Sequence, residues 1–279
     1  MRVRAERLWH EGVDSGNDLH VGEGRDYAFP HSAEDESRRL HLFEQRLDPL
    51  TIRRIERLGI GRGASCLEVG GGQGSITRWL AEQVGPEGEV TATDVQVDFL
   101  DEIDAANVRV LRHDLRTDTF PEESFDLVHT RAVLMHVSDG PEVLSRMTSW
   151  LAPGGWLLLE EPDFGMWQAD RDEVWASRPE AWHRTFPSGS VGRGRSLLRQ
   201  IHQLGLVDIG ADAEIDIIEP NTPLAEFYRL SEEAIGPRAV EAGALNPEQA
   251  AAIHDRLSEP DFLACGFVYI GVWGRRPAP

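Results

Sequence analysis

The seven residues Glu68-Val-Gly-Gly-Gly-Gln-Gly74 constrain the fold of this chain more than any other stretch. Leu67 and Val69 end a short apolar run, the glycines cannot continue a strand, and Ile76, Trp79 and Leu80 then recur at helical spacing. The order is strand, tight turn, helix. Glycines at 70, 72 and 74 allow a sharp turn and let a ligand approach the backbone with no Cβ in the way. The helix behind them offers unpaired N–H groups and the positive end of its dipole. A ligand-binding loop is the first expectation.

The ligand is narrowed by spacing and charge. A dinucleotide loop requires G-x-G-x-x-G, whereas Ser75 stands here in the place of the third glycine. Glu68 adds a carboxylate at the strand end, which would repel a pyrophosphate and hold an ammonium group. The Glu68–Gly74 stretch resembles motif I of class I S-adenosylmethionine (SAM)-dependent methyltransferases. The resemblance implies that Glu68 holds the methionine amino group and that Gly70, Gly72 and Gly74 face the methionine part. It also implies a small-molecule branch of the family, of the secondary-metabolite or quinone type.

The rest of the chain repeats the alternation. Glu89-Val-Thr-Ala-Thr-Asp94 is a β-branched run ending in an acid about twenty positions beyond the loop, where a ribose-binding carboxylate is expected. That feature suits NAD equally. Val108 to Asp114 again ends in an acid, and by resemblance Asp114 binds the adenine amino group while Leu115 packs on the ring. Phe125 to His136 resembles motif IV, and Leu151-Ala-Pro-Gly-Gly-Trp-Leu-Leu-Leu-Glu160-Glu161 the strand that follows it. Polar strand tips at Glu68, Asp94, Asp114, Thr130 and Glu160, with helices between, predict a doubly wound, mostly parallel α/β sheet whose tips share one crevice.

Around that sheet, residues 1–59 are expected to form an N-terminal helical lobe and lid, preceding a SAM-binding domain over 60–279. In the lobe Ser32 reads as an N-cap, and Pro49 splits the helical spacing into two consecutive helices. A helical insertion over about 221–260, capped near Thr222 and Asn246, precedes the last strand and is expected to help form the acceptor pocket.

Several side chains are candidates for chemistry. Glu161 is the first choice to take a proton from the acceptor and His183 the second; a solvated acidic loop is the competing reading for Glu161. His136 is read as a packed helix residue or as a general base. Arg131, after Thr130, either clamps the methionine carboxylate or pairs with a surface acid. Tyr27 and His31 are placed to close over the sulfonium. Metal-binding methyltransferases carry glutamates before such a histidine, but Ala132 and Met135 occupy those places, so no metal is expected. The aromatic residues between 164 and 186, with Phe227, Tyr228 and Phe262, suggest an apolar or aromatic acceptor.

Composition excludes other classes. A formal charge of −20 opposes nucleic acid or an anionic membrane as partner. The chain has no lysine, which removes Schiff-base chemistry and a Walker-type phosphate site. Two isolated cysteines and the lack of a signal-peptide core or a long apolar run fit the cytoplasm. The expectation is methyl transfer from SAM to a small acceptor, with O, N or C left open and a homodimer compatible. The alternatives are a SAM-binding protein that transfers no methyl group and, third, an NAD(P) dehydrogenase, disfavoured by Glu68.

Overall fold

The computed structural model describes residues 33–137, 140–164, 173–185 and 193–279. Seven strands form one sheet: β1 (Ser65–Val69), β2 (Glu89–Asp94), β3 (Val108–Arg112), β4 (Phe125–Arg131), β5 (Leu151–Asp163), β6 (Val207–Ile218) and β7 (Ala264–Arg275), in the order β3-β2-β1-β4-β5-β7-β6. β1 to β5 pair in parallel, and β7 runs antiparallel between β5 and β6. Strand order reverses between β1 and β4, so their carboxyl ends flank the switch point at which such sheets bind ligands. The expected doubly wound, mostly parallel sheet is present.

Both faces of the sheet are covered. α1 (Ala33–Leu58) and α2 (Ser75–Val84) pack Ile55, Leu58, Ile76 and Leu80 against Cys66, Leu127 and Leu158. On the other face, α3 (Gly140–Ser149) and α6 (Arg193–His202) pack Val143, Leu144, Leu197 and Ile201 against Leu157, Leu159 and Val272. Leu157, Leu158 and Leu159 serve alternate faces, as the pleat requires. Beyond the strand ends, α4 (Glu173–Ala176), α5 (Arg178–Thr185), α7 (Pro223–Glu241) and α8 (Pro247–Arg256) enclose a third, aromatic-rich core.

The insertion between β6 and β7 is capped where the sequence placed its caps. The Thr222 hydroxyl accepts from Ala225 N–H, and Asn246 and Gln249 form a reciprocal capping box. Ser32 lies outside the described residues.

Pro49 does not split the lobe. α1 runs unbroken over 26 residues with Pro49 inside it. An interior proline costs about 3 kcal/mol in helix propensity, and here tertiary contacts outweigh it. Leu47, Leu50 and Ile55 are buried. The edge strand β6 presents Asp212, Glu214 and Asp216 at every second position, on one face, to the arginines of α1. Arg46 reaches Asp216 at 2.7 Å, Arg54 reaches Asp212 at 2.6 Å, and Arg53 and Arg57 meet Glu214 and Asp212 at 3.4 and 3.2 Å.

Candidate functional site

A cavity of about 240 Å³ opens at the carboxyl ends of β1, β2 and β4 and beside α1. Its floor is the glycine turn. Gly70, Gly72 and Gly74 have φ of 75°, 57° and 81°, the left-handed region that favours glycine. A Cβ on Gly70 would lie 2.1 Å from Val133 Cγ2, whereas one on Gly72 would meet no atom within 4 Å. Gly70 is therefore fixed by packing, and Gly72 is bare backbone facing open space. Asp94 braces the turn by accepting from Gly72 N–H at 3.1 Å.

Two carboxylates on this wall are poorly compensated. Glu68 is 4% exposed, lines the cavity, and accepts from the Thr77 hydroxyl. Burial raises its pKa above the usual range against the opposing pull of His129, Thr77 and Arg131. Burial likewise raises Asp94, although Gln96, Gly72 and Val95 N–H groups oppose it. Both acids would gain from a ligand that brings positive charge or hydrogen-bond donors.

Asp114, Leu115 and Arg131 also line the cavity. Asp114 is already gripped by Arg116, whose Nη2 lies 2.8 Å away, and that hydrogen bond lowers its pKa. Arg131 ion-pairs with Asp48 at 2.9 Å, donates to Thr51 at 3.0 Å and lies over the Phe43 ring. Of the two readings open to Arg131, pairing with an acid is realised, and the side chain still borders the cavity.

Other expected site residues are placed differently. Thr130 is fully buried, donates to Val69 C=O at 3.0 Å and does not line the cavity, so it braces β1 against β4. Glu160 is no strand tip, because β5 continues through Pro162, which pairs with Tyr269 of β7, to Asp163. Its carboxylate is buried among Thr51, Arg54 and His129.

Glu161, the first choice as proton acceptor, has another task. Its Oε1 accepts from Val133 and Leu134 N–H at 3.0 and 2.8 Å, and its Oε2 from Met135 N–H at 3.1 Å. It is fully buried and borders no part of the cavity. It holds the irregular turn after β4, where Ala132 has φ of 55° and Leu134–His136 form a 3-10 turn in place of a regular helix. Glu161→Ala is therefore expected to cost on the order of 2 kcal/mol in urea unfolding. Glu161→Gln, which keeps an acceptor oxygen, should lose about half of that or less.

His136 lines the cavity, and burial, with the charges of Arg39 and Arg238, lowers its pKa to about 4. It is a neutral imidazole at pH 7. His183 is on α5. Tyr27 and His31 lie outside the described residues. No group of three or more His, Cys, Asp or Glu placed to hold a metal occurs among the described residues.

The far wall is apolar. Phe43, Phe164, Trp182, Phe227, Phe267 and Tyr269 line it, with neighbouring rings 5.0 to 6.1 Å apart in pairs such as Phe164–Phe267 and Phe43–Tyr269. Sequence reading marked the aromatic residues between 164 and 186 and in the insertion, but not Phe43, Phe267 or Tyr269. α1 borders the cavity with Arg39, Leu40, Phe43 and Glu44; residues 1–59 are expected from the sequence to supply a lid, but the sequence does not single out these four within the charge-rich helix.

An acid near the end of the first strand, a glycine turn held open at the switch point and an aromatic wall opposite define an α/β protein with a cavity that is polar on one side and apolar on the other. Residues 42–209 match the family model described as a methyltransferase domain, and the chain belongs to that family. It is 26% identical over 231 residues to an uncharacterized 37.1 kDa protein in transposon TN4556 of Streptomyces fradiae, covering 78% of this chain and 64% of that one. It is 32% identical over 115 residues to a ubiquinone/menaquinone biosynthesis C-methyltransferase of Hahella chejuensis, covering 38% of this chain and 46% of that one. The chain thus spans roughly half to two-thirds of the length of these relatives.

Among solved structures, it resembles a Haemonchus contortus phosphoethanolamine N-methyltransferase 2 in complex with phosphomonomethylethanolamine and S-adenosylhomocysteine. The TM-score is 0.54 at 17% identity, covering 82% of this chain and 52% of that one. It also resembles the [4+2]-cyclase SpnF, with a TM-score of 0.53 at 19% identity, covering 84% and 83%. At these identities the likeness is one of fold.

Proposed function

We propose that this protein transfers a methyl group from SAM to a small, apolar or aromatic acceptor, leaving S-adenosylhomocysteine. The observation that carries the reading is Glu68, a buried and undercompensated carboxylate at the cavity floor beside the bare backbone of Gly72. The residues present suit the cofactor. Glu68 would hold its ammonium group, Asp94 its ribose hydroxyls, and Asp114 and Leu115 its adenine. Gly70, Gly72 and Gly74 leave room for the methionine part, and Arg131 stands near enough to the cavity to meet its carboxylate.

When bound, SAM supplies an electrophilic methyl group on a cationic sulfonium. The chain's own contribution is alignment and exclusion of water, through the aromatic wall and the α1 cover. His136, on the cavity surface, keeps its sequence-based role as a candidate base within this proposal, a weak one because burial holds its pKa at about 4. Tyr27 and His183 keep their sequence-based roles as cover and second base within this proposal. The acidic lining suits a cationic ligand.

Calorimetric titration with S-adenosylhomocysteine, followed by incubation with methyl-labelled SAM and candidate acceptors, tests the proposal. Label in a product supports it. Binding without label in any product would favour the non-transferring alternative, and preference for NADH would overturn both. A narrower test is Gly72→Ala. Its new Cβ meets no atom of the described residues within 4 Å, so the expected stability cost is the about 1–2 kcal/mol of a left-handed alanine. Affinity for S-adenosylhomocysteine should nevertheless fall about tenfold or more, because the methyl group occupies ligand space.

No helix among the described residues is long and apolar enough to cross a membrane. A cytoplasmic location and a homodimer belong to the same proposal; fractionation and analytical ultracentrifugation test them.

A further inference from the structure

The aromatic-rich core that backs this wall contains two buried tyrosines whose hydroxyls are used in different ways. Tyr228, fully buried, donates to Asp216 Oδ2 at 2.9 Å and accepts from Phe267 N–H at 2.6 Å. Tyr269, on β7, is 3% exposed and lines the cavity, yet its hydroxyl has no hydrogen-bond partner among the described residues. A donor on an otherwise buried side chain that borders the cavity, with no hydrogen-bond partner among the described residues, is placed to pair with a ligand atom.

The charges around this wall restrict that ligand. The carboxylates at the end of β5, which could have faced a cationic acceptor, are committed elsewhere: Glu160 to Thr51, Arg54 and His129, Glu161 to the N–H groups of residues 133–135, and Asp163 to Arg195. None of the three borders the cavity. Glu44 does, but it accepts from Ser75 N–H at 3.4 Å, on the glycine-turn side. Arg39 and Arg131 border it as well, but each is already paired, Arg39 with Glu36 at 2.7 Å and Arg131 with Asp48 at 2.9 Å. Among the described residues, the rings therefore face no uncommitted carboxylate that would hold an ammonium-bearing acceptor, and a neutral one fits.

We propose that the Tyr269 hydroxyl donates a hydrogen bond to an oxygen atom of the acceptor, and that the acceptor is a neutral, ring-bearing molecule presenting a hydroxyl or carbonyl group at that point. The inference rests on the methyltransferase reading and narrows its acceptor. Burial, reinforced by the nearby Asp216, keeps the Tyr269 phenol protonated across the neutral range, so it acts as donor. A site built to pair a polar group discriminates strongly against an analogue lacking it, whereas the rings supply affinity without regard to substituent.

The test uses three probes on one ring system, added to the protein saturated with S-adenosylhomocysteine: 2-naphthol, naphthalene and 2-naphthylmethylammonium. Calorimetry is expected to show 2-naphthol binding about tenfold more tightly than naphthalene, with the ammonium weakest. In Tyr269→Phe, 2-naphthol should fall to the level of naphthalene. Naphthalene affinity, S-adenosylhomocysteine affinity and melting temperature should stay as in the parent, since the lost hydroxyl has no hydrogen-bond partner among the described residues. Equal binding of naphthol and naphthalene by the parent, no binding of naphthol, the ammonium binding most tightly, or a naphthol preference that survives in Tyr269→Phe would each overturn the inference. Failure of S-adenosylhomocysteine itself to bind would instead remove the methyltransferase reading.

Discussion

Glu68→Gln is expected to weaken binding of SAM and S-adenosylhomocysteine by roughly 30- to 1000-fold, about 2–4 kcal/mol, while leaving the ligand-free protein as stable as the parent or slightly more so. The two halves of this result have one cause. Burial makes the ionised Glu68 unfavourable in the folded chain, as its raised pKa records. An acid with a raised folded-state pKa binds its proton more tightly in the native than in the unfolded state, so ionising it at neutral pH costs stability. Glutamine removes that cost and still offers an oxygen to the Thr77 hydroxyl. It cannot offer a negative charge to the ammonium group of the ligand. The same sign governs pH. Affinity for S-adenosylhomocysteine should decline as pH falls toward the raised pKa of Glu68, and the decline should be absent in Glu68→Gln. Calorimetry between pH 8 and pH 5, with melting curves of both ligand-free proteins, measures both halves. A stability loss comparable to the loss of affinity would make Glu68 a structural group.

Glu160→Gln is expected to have the opposite profile, with unfolding free energy lower by about 3–5 kcal/mol. Glu160 is 3% exposed and has three partners: Arg54, Thr51 at 2.7 Å and His129 Nε2 at 2.9 Å. Burial alone would raise its pKa, but the His129 hydrogen bond and the charges of His129, Arg54 and Arg131 outweigh it and hold it near about 2. A carboxyl with a depressed folded-state pKa contributes stability that is complete above its unfolded value and is lost as pH falls through the folded one. The parent should therefore lose this contribution between about pH 4.5 and pH 2, and the variant should show a shallower acid transition there. Neutralising Glu160 leaves the buried Arg54 without its principal counter-charge, since its other acid, Asp212, is partly solvated. Urea denaturation at pH 7 and pH 4 provides the measurement. A change under about 1 kcal/mol at pH 7 would show that the network contributes little.

Much of the glycine-turn side of the cavity was legible in the chain because it is encoded locally. Glycines 70, 72 and 74 are needed where they stand by their own φ values, and Glu68, Asp94 and Asp114 sit at or just past the ends of short strands whose apolar runs announce a parallel sheet. Thr222 and Asn246 cap the helices they precede within three residues. The acceptor side was less legible. Glu161 stands where a base is expected by analogy, and only the fold of the turn over residues 132–136 turns its oxygens toward three N–H groups.

What the sequence determined by itself, then, is the alternation of strand and helix, the bare glycine turn and the acid that ends the first strand, since each depends on neighbours a few residues away. What the tertiary structure decided is which charges are spent and which remain. Arg46 and Arg54 meet Asp216 and Asp212, more than 150 positions distant, and so carry α1 unbroken through Pro49. The Tyr228 hydroxyl finds Asp216, while that of Tyr269, in the same core, finds no hydrogen-bond partner among the described residues. The physical reason is that desolvation and pairing are properties of a place in the folded chain, set by whatever distant segment packs there, whereas backbone torsion and side-chain period belong to the residue and its immediate neighbours.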